Sequence, residues 1–201
     1  MTQHQIINAN SAKLSFIDSG SVNLVVTSPP YPMVSMWDEL FISQDATIKS
    51  DLDAGRGYAA FNKMHKLLNA TWRACDRVLA DHGFMCINIG DATRTLNTGN
   101  FQLYANHVKV IEYFSSLGYS ILPGILWHKP TNTPNKFMGS GMYPAGAYIT
   151  QEHEYILIFR KGVNAPLALQ KKLIGRKVRI FGKNAIYGFQ TCGVSKARHK
   201  Q

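Results

Sequence analysis

Val22-Asn23-Leu24-Val25-Val26 runs directly into Thr27-Ser28-Pro29-Pro30-Tyr31, and this stretch decides how the chain is read. The first five residues read as a short buried strand. Two successive prolines then remove backbone donors and stiffen the turn. The Ser28 hydroxyl, the proline carbonyls and the Tyr31 ring are thereby held in fixed directions. A Pro-rich loop that merely closes a strand is the plainer alternative, and the segments downstream have to decide between the two.

Working outward, Tyr58 to Leu79 carries Phe61, Met64, Leu67, Leu68, Thr71, Trp72, Cys75, Val78 and Leu79 close to helical spacing. Asp81-His82-Gly83 reads as the end of that helix, and Phe84 to Ile89 as a short strand. A second amphipathic segment runs from Leu103 to Leu117 and stops at Gly118. The stretch Tyr119 to Trp127 reads as a strand interrupted by Pro123-Gly124, Lys136 to Gly146 as a glycine-rich loop, and Tyr155 to Phe159 as the last clear strand. This alternation predicts an α/β fold with a mainly parallel sheet and flanking helices. Ligands of such sheets sit beyond the carboxyl ends of the strands, where Ser28-Pro29-Pro30-Tyr31 and Gly90-Asp91 fall.

The 201 residues, 45% hydrophobic, suffice for one domain with a real core. Three scattered cysteines lack metal-ligand spacing, so no metal is expected, and reduced thiols in a cytoplasmic setting are. No apolar run approaches the roughly 20 residues that span a bilayer, and no membrane partner is expected. The net charge of +10 suggests a basic nucleic-acid surface, but its distribution disagrees. Residues 1–170 hold 13 Lys+Arg against 12 Asp+Glu, whereas residues 171–201 hold 9 Lys+Arg and no acid. The body is almost neutral.

Ser28-Pro29-Pro30-Tyr31 resembles the catalytic tetrapeptide of DNA amino-methyltransferases. That resemblance implies methyl transfer from S-adenosylmethionine to an exocyclic base nitrogen in double-stranded DNA, with the target base flipped out of the helix. Ser in the first position typifies enzymes acting on cytosine N4, while Asp or Asn more often accompanies adenine N6. The chemistry explains the residue types, because an exocyclic amine is a poor nucleophile whose lone pair is delocalised into the ring. Acceptors aimed at its hydrogens, here the Ser28 hydroxyl and a Pro29 carbonyl, favour a pyramidal nitrogen that attacks the sulfonium methyl. Pro30 fixes the turn, and Tyr31 gives the extruded base a stacking face.

Other segments are similar to the same family in the order of its circularly permuted class. Gly83-Phe84-Met85-Cys86-Ile87-Asn88-Ile89-Gly90-Asp91 resembles the strand beside the target pocket. Trp127-His128-Lys129-Pro130 resembles its Trp-x-Lys-Pro element, and His153-Glu154-Tyr155-Ile156-Leu157-Ile158-Phe159-Arg160-Lys161-Gly162 the strand before its recognition region. The likeness covers about residues 14–165. It implies a Rossmann-like methyltransferase fold, incomplete on its C-terminal side.

Each secondary residue has two readings. Asp91 contacts cofactor or substrate, or caps a loop. His128 and Lys129, with Lys136 in the following loop, touch DNA phosphate, or are ordinary surface groups. Asp38 and Glu39 beside Trp37 steady the catalytic loop, or cap a helix. His153 and Glu154 read as a solvated strand end rather than a metal or acid–base pair. Gly139-Ser140-Gly141 reads as flexible loop beside the DNA, with no cofactor.

The family builds its methyl-donor pocket from a Phe-x-Gly-x-Gly turn and a segment before it, which the permuted order places beyond residue 165. Nothing in 166–201 resembles either one. Residues 1–165 are therefore read as the catalytic half, and 166–201 as a basic, poorly ordered tail. The family's next segment resembles KSAYFWEERNxWFSDIW, and codons permitted by Tyr187 to Gly193 yield WFSDMW in another frame. A frame change near residues 165–176 is expected, and sequencing the gene tests it through a downstream frame carrying the glycine-rich motif. The chain alone is then expected to transfer little or no methyl. The alternatives are adenine-N6 methylation, a non-enzymatic DNA-binding remnant, or half of a split enzyme whose partner chain supplies the cofactor half.

Overall fold

The computed structural model describes residues 2–97, 99, 101–129, 151–162, 190–191 and 196–197. Among the described residues, strand β1 (Thr2–Gln3) pairs with β9 (Lys196–Ala197). Strand β2 (Val22–Ser28) is the sequence-predicted strand, extended by two residues to the serine itself. A 3₁₀ turn (Ser35–Trp37) and two short helices, α1 (Asp38–Ile42) and α2 (Thr47–Asp53), lead into α3 (Gly57–Val78). The buried stripe of α3 comprises Ala60, Phe61, Met64, His65, Leu68, Thr71, Trp72, Cys75 and Val78, the 3.6-residue repeat of a helix lying on a core.

Strand β3 (Leu79–Ile89) starts without a break after α3, so Asp81-His82-Gly83 does not separate helix from strand as expected. The three residues form a bulge within β3. Val22 pairs with Leu79 and Leu24 with Phe84, so β3 spends three more residues than β2 over that interval. His82 takes φ 63°, and a Cβ on Gly83 would meet the Ala80 carbonyl oxygen at 2.8 Å. The Lys161 backbone clamps the bulge through hydrogen bonds with His82 and Gly83. Its ammonium reaches the Asp76 and Leu79 carbonyls at 2.6 and 3.1 Å, satisfying acceptors at the C-terminus of α3.

A hairpin, β4 (Ala92–Thr95) with β5 (Phe101–Tyr104), occupies the start of the segment expected to be helical from Leu103. Helix α4 (Asn106–Ser116) begins only after it and ends before Gly118, whose φ of 76° suits a helix stop. Strand β6 (Ser120–His128) continues through Pro123-Gly124 with a register shift between Leu122 and Ile125. Strand β7 (His153–Arg160) follows, and β8 (Gln190–Thr191) pairs with the end of β2.

The five-stranded sheet has the order β6-β7-β3-β2-β8. Among the described residues only the β2–β3 pair is parallel, and the other three are antiparallel. The expected α/β layering stands, but the sheet is mixed rather than mainly parallel. The long helix α3 supplies the one parallel crossover, whereas β6 and β7 are chain neighbours that pair antiparallel. Helices α3 and α4 cover one sheet face, where Phe114 stacks on Phe159 at 4.5 Å and packs against Trp72 and Tyr119. Among the described residues no helix is long and apolar enough to cross a membrane.

Candidate active site

Strand register sets the first relationship in the site. Thr27 pairs with Ile87, so Ser28 and Asn88 leave the adjacent ends of two parallel strands side by side. Pro29 and Pro30 are buried, while Ser28 and Tyr31 are only half-buried, so neither functional group is lost in the core. The turn folds back through Met33, which takes φ 67°, and its N–H is directed at the Met64 sulfur at 3.4 Å. Tyr31 thereby returns to the strand ends. A Cβ on Gly90 would lie 3.0 Å from the Tyr31 ring, so glycine there lets the ring approach the backbone.

Tyr31 joins a directional hydrogen-bond network. Its hydroxyl donates to Glu154 Oε2 at 3.0 Å and receives Asn88 Nδ2 at 2.9 Å. Ser28 Oγ lies 3.2 Å from the same hydroxyl. A phenol has one proton, and Glu154 takes it, so Ser28 is the donor of that contact. The lone pairs of the Ser28 oxygen remain available to a further donor. Asn88 Nδ2 also reaches Glu154 Oε2 at 2.6 Å, and Lys129 Nζ holds Oε1 at 2.6 Å while lying 4.4 Å over the Trp127 ring.

The electrostatics keep these roles fixed. Burial alone would raise the Glu154 carboxyl, but hydrogen bonds from Lys129, Asn88 and Tyr31 outweigh it and hold the group below the ordinary carboxylate range. Burial, reinforced by the Glu154 charge against an opposing Ser28 hydrogen bond, pushes the Tyr31 phenol well above its usual value. Tyr31 thus stays a proton donor and Glu154 an anion.

A second network secures the loop from behind. Asn106 is fully buried, and its amide donates to the Pro32 carbonyl at 3.0 Å and the Gly90 carbonyl at 2.9 Å. His65 Nε2 lies 2.9 Å from Asn106 Oδ1. That oxygen accepts, so the ring nitrogen donates. Burial, against the favourable Asn106 hydrogen bond, lowers the His65 pKa to about 4. The first residue of α4 therefore ties the turn after β2 to the end of β3.

Asp91 does not point at an open pocket. Its carboxylate, 3% exposed, caps α4 by accepting the His107 N–H at 3.0 Å and holds the His107 ring at 2.7 Å. His107 stacks on Tyr155 at 4.0 Å, and His153 reaches the Tyr155 hydroxyl at 3.1 Å. His128 is largely exposed and lies 3.4 Å from Glu152. Lys129 is committed to Glu154, and Lys136 lies outside the described residues, as do the Gly139-Ser140-Gly141 loop and most of 166–201. Asp38 opens α1 and receives a two-pronged Arg94 fork at 2.8 and 2.7 Å, which ties α1 to the β4–β5 hairpin.

Sequence reasoning missed Glu154, Asn88 and Asn106. Glu154 is corrected from a solvated strand end to the centre of the Tyr31 network, because β7 lies antiparallel to β3 with Glu154 level with the end of that strand. The described residues assemble acceptors and a ring suited to a base amine. Both Asp91 oxygens are engaged by His107.

The family described as DNA methylase (N6_N4_Mtase) matches residues 22–187, more than half of the chain. The chain belongs to this DNA methylase family. Relatives of the chain include the Type II methyltransferase M.MthZI of Methanothermobacter thermautotrophicus. It is 52% identical over 161 residues, which are 80% of this chain and 45% of that protein. The Type II methyltransferase M.MjaI of Methanocaldococcus jannaschii is 48% identical over 172 residues, covering 80% of this chain and 56% of that protein. The chain thus spans about half the length of these curated relatives.

Among solved structures, the putative DNA modification methylase TTHA0409 of Thermus thermophilus, complexed with S-adenosyl-L-methionine, superposes with a TM-score of 0.59 at 25% identity. The match covers 85% of this chain and 59% of that one. The cytosine-N4-specific PvuII DNA methyltransferase shares the fold, with a TM-score of 0.53 at 12% identity over 86% of this chain and 63% of that one.

Proposed function

We propose that this DNA methylase chain supplies the target-base half of a site-specific enzyme of restriction–modification type. The enzyme transfers the methyl group of S-adenosylmethionine to cytosine N4 in double-stranded DNA. One observation carries the reading, namely the polarity of the Ser28–Tyr31–Glu154 chain. Glu154 takes the phenol proton, Tyr31 takes the serine proton, and Ser28 is left as an acceptor. An acceptor is what an amine with two N–H groups needs at the moment its nitrogen becomes pyramidal.

In this mechanism the target base is extruded from the duplex and rests beside the Tyr31 ring. Ser28 Oγ and the Pro29 carbonyl accept from its amino group, and Pro30 keeps their directions. Tyr31, fixed by Glu154 and Asn88, cannot rotate away. Bound S-adenosylmethionine supplies an electrophilic methyl, and the remainder of the fold, beyond the half matched here, holds it. The assignment of cytosine rather than adenine rests on serine in the first position of the motif. The assignment of His128, Lys129 and Lys136 to DNA phosphate rests on the sequence, and of these His128 is exposed at the end of β6 while Lys129 is held by Glu154.

The test is a single-chain hybrid in which residues 1–165 replace the matched segment of M.MjaI. Its methylated DNA is digested and the modified nucleoside identified. N4-methylcytosine is expected, and N6-methyladenine would overturn the choice of base. The isolated chain, given labelled donor and mixed-sequence DNA, is expected to transfer little or no methyl. Robust turnover by it alone would overturn the reading of residues 1–165 as the target-base half only.

A further inference from the structure

Beyond Tyr31 the turn after β2 continues to a rigid tip. Tyr31, Val34 and Trp37 all pack against the core, the three-residue repeat of a 3₁₀ turn. The residues between the last two, Ser35 and Met36, are turned to solvent, and Met36 is 73% exposed. Among the described large apolar side chains only Ile6 is more exposed. A lone apolar group on a surface is ordinary. Met36 differs in how firmly its backbone is held. The Val34 N–H donates to the Tyr31 carbonyl at 3.2 Å, and the Trp37 N–H to the Val34 carbonyl at 2.9 Å. Beyond them the Arg94 fork grips Asp38, so the tip is pinned on both sides and that carboxylate is neutralised.

We infer that Met36 enters the DNA stack at the gap left by the extruded target base, an inference that rests on the function proposed above. Each tight turn keeps its ends within about 7 Å, so two in succession place Met36 within about 14 Å of Tyr31. That is close to the width of a DNA groove, about 12 Å, so one protein surface reaches both the extruded base and the place it came from. Extrusion sacrifices stacking and pairing, and an empty gap invites the base to fall back. Methionine is among the apolar side chains that wedge between base steps, and its thioether is polarisable enough to lie against aromatic rings. A rigid backbone favours this role, because a wedge on a loose loop has to be ordered at each encounter. Phosphate contact is the poorer role for this tip, since neither Ser35 nor Met36 is cationic.

The test uses the single-chain hybrid and a duplex carrying the site it methylates, with the target base either paired or mispaired. Met36→Ala is expected to weaken binding of the paired duplex by about tenfold or more, the scale of burying one apolar side chain. The mispaired duplex, whose base costs less to extrude, should lose no more than about threefold. Met36→Leu should bind both like the parent. Leu117→Ala is the control, since Leu117 is also exposed but follows the end of α4 remote from Gly90, and it should change neither. Equal losses on the two duplexes overturn the wedge, as does a Met36→Ala hybrid that binds and methylates like the parent. A change of oligomeric state on Met36→Ala, read by sedimentation, also overturns it, because the side chain then covers protein rather than a base gap. The choice of cytosine fails separately. N6-methyladenine in the product would overturn that choice and leave the paired-to-mispaired ratio unaffected, since either base has to leave the stack.

Discussion

The Tyr31 phenol donates its proton to Glu154 Oε2 at 3.0 Å, across 123 residues of sequence. This contact joins the turn after β2 to the first residues of β7, and it sets the polarity on which the site depends. Removing the carboxylate strands three donors at once, on Tyr31, Asn88 and Lys129. Glu154→Leu is therefore expected to cost about 2–3 kcal/mol. In a domain of this size that lowers the melting temperature by about 5–10 °C. Tyr31→Phe keeps the ring and removes only the hydroxyl, so it should cost about 1 kcal/mol. Thermal unfolding of the two variants checks the order, and equal losses would mean that Glu154 is not the hub.

Ser28 is an acceptor by virtue of its neighbours rather than its own chemistry. Ser28→Ala in the single-chain hybrid should slow methyl transfer by at least about 10²-fold, the scale for losing one positioned hydrogen-bonding group at a reacting centre. Ser28 packs little side-chain volume, so stability should change by less than about 1 kcal/mol. Single-turnover rates with saturating DNA separate this from weaker binding. A rate within a few-fold of the parent would remove Ser28 from the chemistry.

Much of this arrangement was legible in the residues because local signals and burial agree. The Val22–Val26 run, the helical stripe from Phe61 to Val78, and the glycine at 118 all mark elements that the structure contains. Three readings failed for reasons of longer range. Asp81-His82-Gly83 has turn chemistry, but pairing with β2 and clamping by Lys161 absorb it as a bulge. Leu103 continues an apolar period into α4, yet the Phe101–Tyr104 run pairs with Ala92–Thr95 and is a strand. Glu154 looks like a polar strand end, and only its distant partners Tyr31 and Asn88 reveal its role. Alternation along β7 does carry a hint, since Glu154 must face opposite to Tyr155.

Asn106 presents the same lesson as a prediction. Its side chain is fully buried, and both amide protons are used, one on Pro32 and one on Gly90. Asn106→Asp preserves the shape but replaces two donors with a buried charge facing two carbonyls. A loss on the order of 3 kcal/mol or more is expected, read as a lower urea midpoint. Asn106→Leu loses the donors without adding charge, and its midpoint should fall between those of the parent and Asn106→Asp. If Asn106→Asp unfolds at the parent's urea concentration, the amide is not what pins the turn after β2.

His65 gives the fold a pH dependence whose sign follows from its burial. Desolvation lowers its pKa to about 4, against an ordinary value of about 6.5, so the folded chain holds it neutral where the unfolded chain would protonate it. Stability from this group is fully present above pH 6.5 and is lost as pH falls from there toward 4. The loss reaches about 3 kcal/mol at the lower limit, by the usual 1.36 kcal/mol per pH unit. Glu154, held low by its donors, adds its own loss only below the ordinary carboxylate value. Urea unfolding of the parent at about pH 7, 5.5 and 4.5 should therefore show a falling midpoint. His65→Gln, which cannot titrate, should be less stable at neutral pH but nearly flat across the same interval. A parent chain as stable at the acid end as at the neutral end would mean that the imidazole is not buried between α3 and Asn106.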